Sequence, residues 1–296
     1  MRPRRVLPTA LHLWTAGAAV LGLAGWAAAR DGGRRWAASS AEVQAGLAAH
    51  QQTVSPAVFN AQELVGLPAP VRRYFEAVLT DGQPMVAAAT LHQVGQLNMR
   101  DAGDAGEAWK PFTAVQRIVT RQAGFVWNAR VMMAPWLAVL VHDAYVAGVG
   151  LLKASVLGLY NVANPAPSAA LSAGELMRFL AEAVWYPTAL LPSQGVVWAA
   201  VNDQSATATL QDSGHCVTLL FRFQADGLVD TVHADARARL VDGVVSAAPW
   251  EGRFRDAQTR GGMVVPLAGE VAWLLPSGTH TYWRGRITHV NHEFQP

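Results

Sequence analysis

Cysteine is almost absent from this 296-residue chain, which contains only Cys216. A single cysteine excludes an intrachain disulfide, and it excludes a thiolate zinc cluster within one chain. Because Cys216 lies far from the N-terminus, the lipidated cysteine of a lipoprotein signal is missing as well. Stability must therefore come from a packed core, and a chain of this length with 51% hydrophobic residues can form one.

Lysine is nearly as scarce, because Lys110 and Lys153 are the only two. The formal charge of +2 comes from 23 basic and 21 acidic residues; without Arg2, Arg4 and Arg5 the balance is 20 against 21, or −1. The arginines of the body are scattered rather than clustered. Since binding to phosphate backbones needs a concentrated basic surface, the sequence argues against nucleic acid as a partner.

Signatures of catalysis are missing too. The sequence contains no serine nucleophile elbow, no glycine-rich phosphate loop and no dinucleotide fingerprint. His289, His292 and Glu293 superficially resemble metal ligands, but in a strand His292 points away from the other two, whereas the two-histidine zinc motif needs a helix. We therefore predict no metal and no other cofactor, and the sequence does not reveal a reaction.

Residues 8–29 form a long apolar run whose only ionisable side chain is His12, and they follow the arginine cluster at residues 2–5. Roughly twenty helical residues cross a hydrocarbon core of about 30 Å. Residues 1–30 are predicted to be either a retained membrane anchor or a secretory signal cleaved near residues 26–29. We expect the body to lie outside the cytoplasm, held at the inner membrane or, after cleavage, released to the periplasm.

The next segment, residues 31–55, is rich in Ala, Gln, Gly and Arg without a firm apolar period, which predicts a tether or a marginal helix. A single domain is expected from residue 56 to residue 296. Asn60, with Glu63 three residues later, has the pattern of a helix N-cap. Pro70 suits the first turn of a second short helix.

From Ala87 onward the apolar residues alternate, as in residues 125–133 and 217–223, and this period is typical of strands with one buried face. In residues 231–239 polar side chains alternate with Val and Ala, which predicts a solvated strand face. Short turn signals rich in Asp, Ser and Gly indicate antiparallel neighbours. We count about ten strands, a number that favours an α+β fold in which a curved antiparallel sheet forms a half-barrel.

One helix interrupts the strands. Ser172 and Glu175 have the spacing of a capping box, and the apolar stripe that follows them ends at Pro187. Because such a stripe must be covered, we expect residues 171–192 to pack across the concave side of the curved sheet. A helix in this position encloses an apolar cavity.

Several strings of residues resemble the motifs of a bacterial, membrane-anchored family of unknown function. They are RFLAEAVWYPTALLP at residues 178–192, WKPF at 109–112 with Gln116, GFVW at 124–127, APWEG at 248–252 and YWRG at 282–285. The match runs in order from about Val65 to Phe294. The resemblance implies an architecture similar to the half-barrel of lipoprotein carriers, in which helices plug an apolar hollow, and it implies no particular activity.

Arg178 and Glu182 stand one helical turn apart and are able to pair. Two interpretations are open. The pair is either solvated on the surface, or it faces the hollow, where Glu182 holds a polar group of a ligand or acts as an acid or base. His142 and Asp143 are neighbours in a predicted strand, so their side chains should point to opposite faces and cannot form a dyad.

Tryptophan is abundant, with 11 residues in the chain. Most are expected to fill the core. Trp127, Trp185, Trp250 and Trp283 are the candidates to line a ligand site, because an indole ring shields a ligand while its N–H finds a polar partner. Together with the helical Arg-Glu pair they make up the predicted ligand-binding set.

These features predict an envelope-associated binding protein for an apolar or amphipathic molecule, such as a lipid or a lipid-linked precursor. One alternative is an enzyme, a hydrolase or isomerase that acts on such a molecule through Glu182. A structural envelope protein is the other. A deep closed pocket with a carboxylate and two further polar groups would favour the enzyme, whereas an open apolar groove would favour the carrier.

The predicted location can be tested by fusing the C-terminus of the full chain to a reporter that is active only after export. Because an arginine-rich start before an apolar run orients the following chain outward, we expect activity from this reporter. The control is the same fusion to a reporter that is active only in the cytoplasm. Activity of the cytoplasmic reporter alone would show that the assignment is wrong.

Overall fold

The computed structural model describes residues 9–101, 106–241 and 244–295. The arginine cluster at residues 2–5 and the first residue of the apolar run therefore lie outside the described residues. In the described part of the chain, no helix is both long enough and apolar enough to span a membrane.

The described strands form one continuous antiparallel sheet. They are β1 (Val86–Asn98), β2 (Trp109–Val119), β3 (Gly124–Ala134), β4 (Leu137–Val146), β5 (Val149–Val156), β6 (Tyr160–Ala163), β7 (Val197–Asn202), β8 (Ser205–Asp212), β9 (His215–Phe223), β10 (Val229–Val241), β11 (Val244–Arg260), β12 (Met263–Leu275) and β13 (Gly278–Phe294). Their order in the sheet is β6-β5-β4-β3-β2-β1-β13-β12-β11-β10-β9-β8-β7. The first and last strands thus meet in the middle, and β6 and β7 are the two edges.

The sheet has 13 strands in the described residues, so the expected number of about ten is wrong. The edge strands explain part of the difference. β6 has only four residues and β7 only six, and most of their side chains are exposed. So few residues give too few alternations of buried and exposed positions for a period of two to be recognised. The prediction of a large antiparallel sheet with few helices is confirmed.

The sheet is open and curls around a helix. Helix α3 (Ala169–Glu182) contacts β5 near one edge and β9 near the other. These strands stand nine intervals apart in the sheet order, which is about 43 Å in a flat sheet at roughly 4.8 Å per interval. A helix about 10 Å wide reaches both strands only when the sheet wraps around it. We call the side that holds α3 the concave face.

Helix α3 begins four residues earlier than a capping box at Ser172 would place it. The N-cap is Ser168, whose Oγ accepts a hydrogen bond from the Leu171 N–H. Ser172 lies inside the helix, and its Oγ accepts from the Gly150 N–H of β5 at 2.9 Å. Glu175 is buried and is no part of a cap, so the predicted capping box is wrong. The buried apolar side chains of the helix are Leu176, Phe179, Leu180 and Ala181.

Two short helices precede the sheet, as the sequence predicts. A 3₁₀ turn (Ala61–Leu64) has Asn60 as its N-cap, with the side chain accepting from the Gln62 N–H. Helix α2 (Ala69–Val78) has a proline in its first turn and buries one face. Three further 3₁₀ turns follow α3: Ala183–Trp185, Pro187–Leu190 and Pro192–Gln194.

Helix α1 (Thr9–Ala49) extends through most of the segment that was expected to be a tether or a marginal helix. Its C-terminal part lies on the outer side of the sheet, where it contacts β2, β3 and β4. Leu47 is fully buried there in a small cluster with alanine and valine side chains of the strands. We call this side of the sheet the convex face. Residues 31–49 are therefore helical, and Leu47 attaches the end of this helix to the sheet.

A β-bulge in β10 changes which side chains face inward. The pairing of β10 with β11 shifts register between Ala234 and Arg237. Arg237 is thereby buried on the concave side, and Thr231 near the start of the strand is buried as well. The prediction that the polar residues of 231–239 form a solvated face is wrong for these two positions. For Arg237 the reason is the bulge, because an extra residue reverses the alternation beyond it, which a regular period cannot anticipate.

Candidate ligand-binding site

A cavity of about 220 Å³ lies between the C-terminal half of α3 and the concave face. Its wall contains all six residues of the predicted ligand-binding set: Trp127, Arg178, Glu182, Trp185, Trp250 and Trp283. They come from four places in the chain, namely β3, α3 with the turn after it, β11 and β13. The fold thus brings the predicted set together at one site. Whether the set binds a ligand stays a prediction.

Trp127, Trp250 and Trp283 reach the cavity because each strand presents alternate side chains inward, whereas Trp185 reaches it from the turn after α3. Trp127 donates a hydrogen bond from its indole N–H to Gln93 Oε1 at 2.8 Å. Trp250 donates to the hydroxyl oxygen of Tyr282 at 2.9 Å. These bonds satisfy the polar edge of each ring, so the rings supply apolar surface to the cavity at fixed orientations.

Arg178 is the central charge of the site. Its Nη1 donates to Asp143 Oδ2 of β4 at 2.5 Å, and its Nε donates to Glu182 Oε1 at 2.7 Å. The side chains of Arg178 and Glu182 are only 13% and 14% exposed. The guanidinium also stacks on an aromatic ring, with its carbon 5.2 Å from the centroid of Trp127. Arg178 and Glu182 therefore face the hollow, and the surface interpretation of this pair is wrong.

A chain of buried amides holds the second oxygen of Glu182. Gln116 donates from Nε2 to Glu182 Oε2 at 2.6 Å. Gln93 donates to Gln116 Oε1 at 3.0 Å, and Gln93 in turn accepts from Trp127. Both glutamines are buried on neighbouring strands, β1 and β2. This network joins the indole of Trp127 to the carboxylate of Glu182, so the two sides of the cavity are positioned together.

Arg237 is a second buried arginine of the site, and sequence reasoning missed it. Its Nε donates to the Gly174 carbonyl of α3 at 3.0 Å, and its Nη2 lies 3.4 Å from Glu175 Oε1. The guanidinium carbon stands 5.1 Å from the ring centroid of Trp250. Arg237 thus fastens the other flank of α3 to β10. No signal in the sequence marks the bulge that turns it inward.

Glu175 is the least solvated acid of the site, with only 5% of the residue exposed. Burial first, and then the negative charge of Asp143, raise the pKa of the Glu175 carboxyl to about 8. In the described structure Glu175 Oε2 and Asp143 Oδ1 are buried without donors. A proton held on Glu175 supplies a hydrogen bond between the two carboxyls, which is one of the causes of the raised pKa.

Trp185 differs from the other tryptophans of the cavity. Only 3% of the residue is exposed, yet its indole N–H has no hydrogen-bond partner among the described residues. Its ring packs edge-on against Phe254, with the ring centroids 6.1 Å apart. Its carbonyl oxygen contacts Nε2 of His292 at 2.8 Å, which fixes the turn after α3 to β13.

His142 lies on the opposite face from Asp143, as predicted. It is buried against α1, where its Nε2 is 2.5 Å from Ser40 Oγ and its ring centroid is 4.0 Å from that of Trp36. Burial, followed by the positive charge of Lys153, lowers the pKa of His142 to about 4. His142 therefore attaches α1 to the convex face and has no part in the cavity.

His292 and Glu293 lie on opposite faces of β13, as predicted. His292 contacts the Trp185 carbonyl oxygen on the concave side, whereas Glu293 forms an ion pair with Arg117 outside. Across the described residues, no three His, Cys, Asp or Glu side chains are grouped so that they could hold a metal ion.

The fold and the site together define a class of protein: an open antiparallel sheet wrapped around a helix, with an aromatic and charged cavity between them. Residues 65–292 match the model of a family of unknown function, DUF6920, and the chain belongs to that family. No curated protein matches the chain.

The solved structures that are similar to this chain include the following two. One is a LolA-superfamily protein from Nitrosomonas europaea, with 11% identity, coverage of 80% of this chain and 96% of that chain, and a TM-score of 0.30. The other is a β-barrel-like protein of the DUF1849 domain of unknown function from Brucella abortus. It has 12% identity, coverage of 71% and 98%, and a TM-score of 0.21. Function must be inferred from the cavity itself.

The raised pKa of Glu175 predicts a pH dependence of folding. The folded protein keeps this proton up to about pH 8, whereas an exposed glutamate loses it near 4.5. The stabilising contribution is therefore complete below pH 4.5 and is lost as the pH rises through 8. We expect Glu175→Gln, which cannot ionise, to gain stability relative to the wild type between pH 5 and 8, by at most about 1.4 kcal/mol per pH unit.

The measurement is the free energy of unfolding by denaturant at several pH values. Glu76→Gln on α2, where the side chain is 58% exposed, is the control and should follow the wild-type profile. Parallel profiles for the wild type and Glu175→Gln would contradict the assignment of the proton to Glu175.

Proposed function

We propose that this protein binds an apolar or amphipathic small molecule, such as a lipid or a lipid-linked precursor, in the cavity beneath α3. The observation that supports this most strongly is the composition of the wall. Four tryptophans surround one hollow that also contains a buried ion-pair cluster. An apolar molecule that enters gains roughly 25 cal/mol for each Å² of apolar surface removed from water.

The size of the cavity indicates how much of a ligand it holds. An engineered cavity of about 150 Å³ accommodates benzene. The 220 Å³ found here is suited to a ring or a short stretch of an alkyl chain. A longer molecule must extend through the opening. Arg253 and Glu270, whose side chains are 43% and 34% exposed, mark that opening on β11 and β12.

The geometry supports binding better than catalysis by Glu182. Both of its oxygens already accept hydrogen bonds, one from Arg178 and one from Gln116. A general base needs a lone pair directed at the proton that it takes, and here a donor of the protein holds each oxygen of Glu182. The carboxylate is better suited to hold the arginine in place.

The proposed place of action is the cell envelope, as the sequence alone indicates. The N-terminal apolar run directs the chain to or through the inner membrane, and the body works outside the cytoplasm. Helix α1 runs without a break from Thr9 to the residues that pack on the convex face. A ligand drawn from a membrane would then meet a protein held close to it.

The proposal is tested by mass spectrometry of organic extracts from the full-length protein purified from its native membrane. We expect an apolar or amphipathic compound in stoichiometric amount. Gly252→Leu should abolish its retention, because the inward Cβ position of Gly252 lies between Trp250 and Phe254 and a larger side chain there fills the cavity. No hydrogen bond of the ion-pair cluster is altered by this change.

Ala199→Leu is the control, since Ala199 is exposed on β7 and does not line the cavity. This variant should keep the compound. Thermal unfolding should show that both variants are folded. An extract without any such compound from the wild type, or equal retention by Gly252→Leu, would contradict binding in this cavity and would favour a structural role.

A further inference from the structure

The two buried arginines of the cavity differ in the charges that face them. Arg178 donates to the carboxylates of Asp143 and Glu182, so two negative charges face this cation. Arg237 has only Glu175 beside it, with Nη2 3.4 Å from Oε1. Because the pKa of Glu175 is about 8, this carboxyl is mostly protonated at pH 7. Arg237 is therefore a buried cation on the cavity wall without an ionised partner of its own, which is costly.

Tyr282 brings a hydroxyl group to the same part of the wall. A register shift in the pairing of β13 with β12 falls at this residue, and its side chain lies on the concave side. The hydroxyl oxygen accepts from Trp250 Nε1 at 2.9 Å and from Arg237 Nη1 at 3.4 Å. These two bonds occupy both lone pairs, while the proton of the hydroxyl has no acceptor among the described residues. Tyr282 is therefore an unused donor beside Arg237.

The wall offers further donors that the protein itself does not use. Arg178 Nη2 and the indole N–H of Trp283 have no acceptor among the described residues. The buried carboxylates, in contrast, are engaged. Both oxygens of Glu182 accept hydrogen bonds, and Asp143 accepts from Arg178 and shares the proton of Glu175. A head group with acceptor oxygens and a negative charge satisfies these donors, whereas an ammonium group would find the buried carboxylates already engaged.

We infer that the molecule held in this cavity is an amphiphile with an anionic head, a carboxylate or a phosphate monoester, and that Arg237 and Tyr282 bind this head. The inference rests on the proposed function, and it names the ligand class that the same site takes. Arg237 supplies the opposite charge and Tyr282 a hydrogen bond. Charge-assisted bonds of this kind offset the cost of burying the head, and the apolar chain lies among the tryptophans.

The charge of Glu175 controls this site. Its carboxyl is faced by Asp143 of β4, by Arg178 of its own helix and by Arg237 of β10. While Glu175 is protonated, the charge of Arg237 is available to the ligand. As the pH rises through about 8, Glu175 ionises, pairs with Arg237 and repels a second anion. Binding of an anion therefore weakens above pH 8, by up to about tenfold for each pH unit.

Four probes with the same ten-carbon chain test this inference on the full-length protein. They are decanoate, decyl phosphate, methyl decanoate and decyltrimethylammonium, and each competes with the fluorescent probe N-phenyl-1-naphthylamine. At pH 7 we expect the tighter of the two anions to bind at least about tenfold more strongly than the neutral ester and the cation. Which anion is tighter identifies the head group. Between pH 7 and pH 9 the affinity of decanoate should fall about tenfold, while that of methyl decanoate stays constant.

Three variants test the assigned residues. Glu175→Gln cannot ionise, so its affinity for decanoate should be the same at pH 7 and pH 9. Arg237→Gln should weaken binding of the tighter anion at least about tenfold at pH 7. Tyr282→Phe keeps the ring without the donor, and we expect about a fivefold loss for the same anion and unchanged affinity for the fluorophore.

Tyr145→Phe is the matched control for Tyr282→Phe. Tyr145 is buried outside the cavity wall, and its hydroxyl donates to Asp212 at 2.8 Å. This change should alter neither the affinity for the anion nor the affinity for the fluorophore. Thermal unfolding should show which variants are folded, and Tyr282→Phe with the wild-type pH profile keeps the test decisive if Arg237→Gln does not fold.

The outcomes separate this inference from the proposed function. If methyl decanoate or the cation binds as tightly as both anions, or if the wild type binds decanoate equally at pH 7 and pH 9, the inference is wrong while binding stands. Equal affinities of Tyr282→Phe and Tyr145→Phe for the anion would contradict the contact with Tyr282. If the fluorophore and all four probes fail to bind the wild type, the proposed function falls together with the inference.

Discussion

The ion pairs of Arg178 hold the concave side of this protein together. One guanidinium joins helix α3 to strand β4 through Asp143, and it fixes Glu182 at the end of the same helix. Removing two or three charges from water costs several kcal/mol for each, and only close geometry with additional hydrogen bonds offsets that cost. Here Gln116 donates an additional hydrogen bond to Glu182, and two aromatic rings lie beneath the guanidinium. Because α3 is one wall of the cavity, the position of Arg178 decides whether the cavity exists.

The rest of the site extends this arrangement. Arg237 makes similar contacts on the other flank of α3. Its guanidinium lies beside the carboxyl group of Glu175 and over the ring of Trp250. With a proton on Glu175, the buried cluster carries two positive and two negative charges. Such a cluster does not need to stabilise the fold more than an apolar core would. Its value lies in orientation, since each hydrogen bond permits one position of the helix and one shape of the hollow beneath it.

Much of this arrangement could be predicted from the sequence, because it follows from local periods. Alternation indicated an antiparallel sheet, and an apolar stripe indicated the covered helix. The spacing of Arg178 and Glu182 placed them on one side of that helix. The parts of the structure that could not be predicted depend on features that do not repeat along the sequence. The bulge in β10 reverses the direction of Arg237, and long-range packing rather than a helix cap explains Ser172 and Glu175. The contact of α1 with the convex face could not be predicted either, because the small residues of that helix form no clear apolar stripe.

The central claim is that the paired charges of Arg178 hold α3 over the cavity. The most direct measurement is the free energy of unfolding of Arg178→Met compared with that of the triple variant Arg178→Met, Asp143→Asn, Glu182→Gln. The single change leaves two buried carboxylates without their cation and should cost about 3 to 5 kcal/mol, whereas the triple variant removes those charges and should recover most of the loss. A single variant within about 1 kcal/mol of the wild type, or a triple variant no more stable than the single one, would contradict the account.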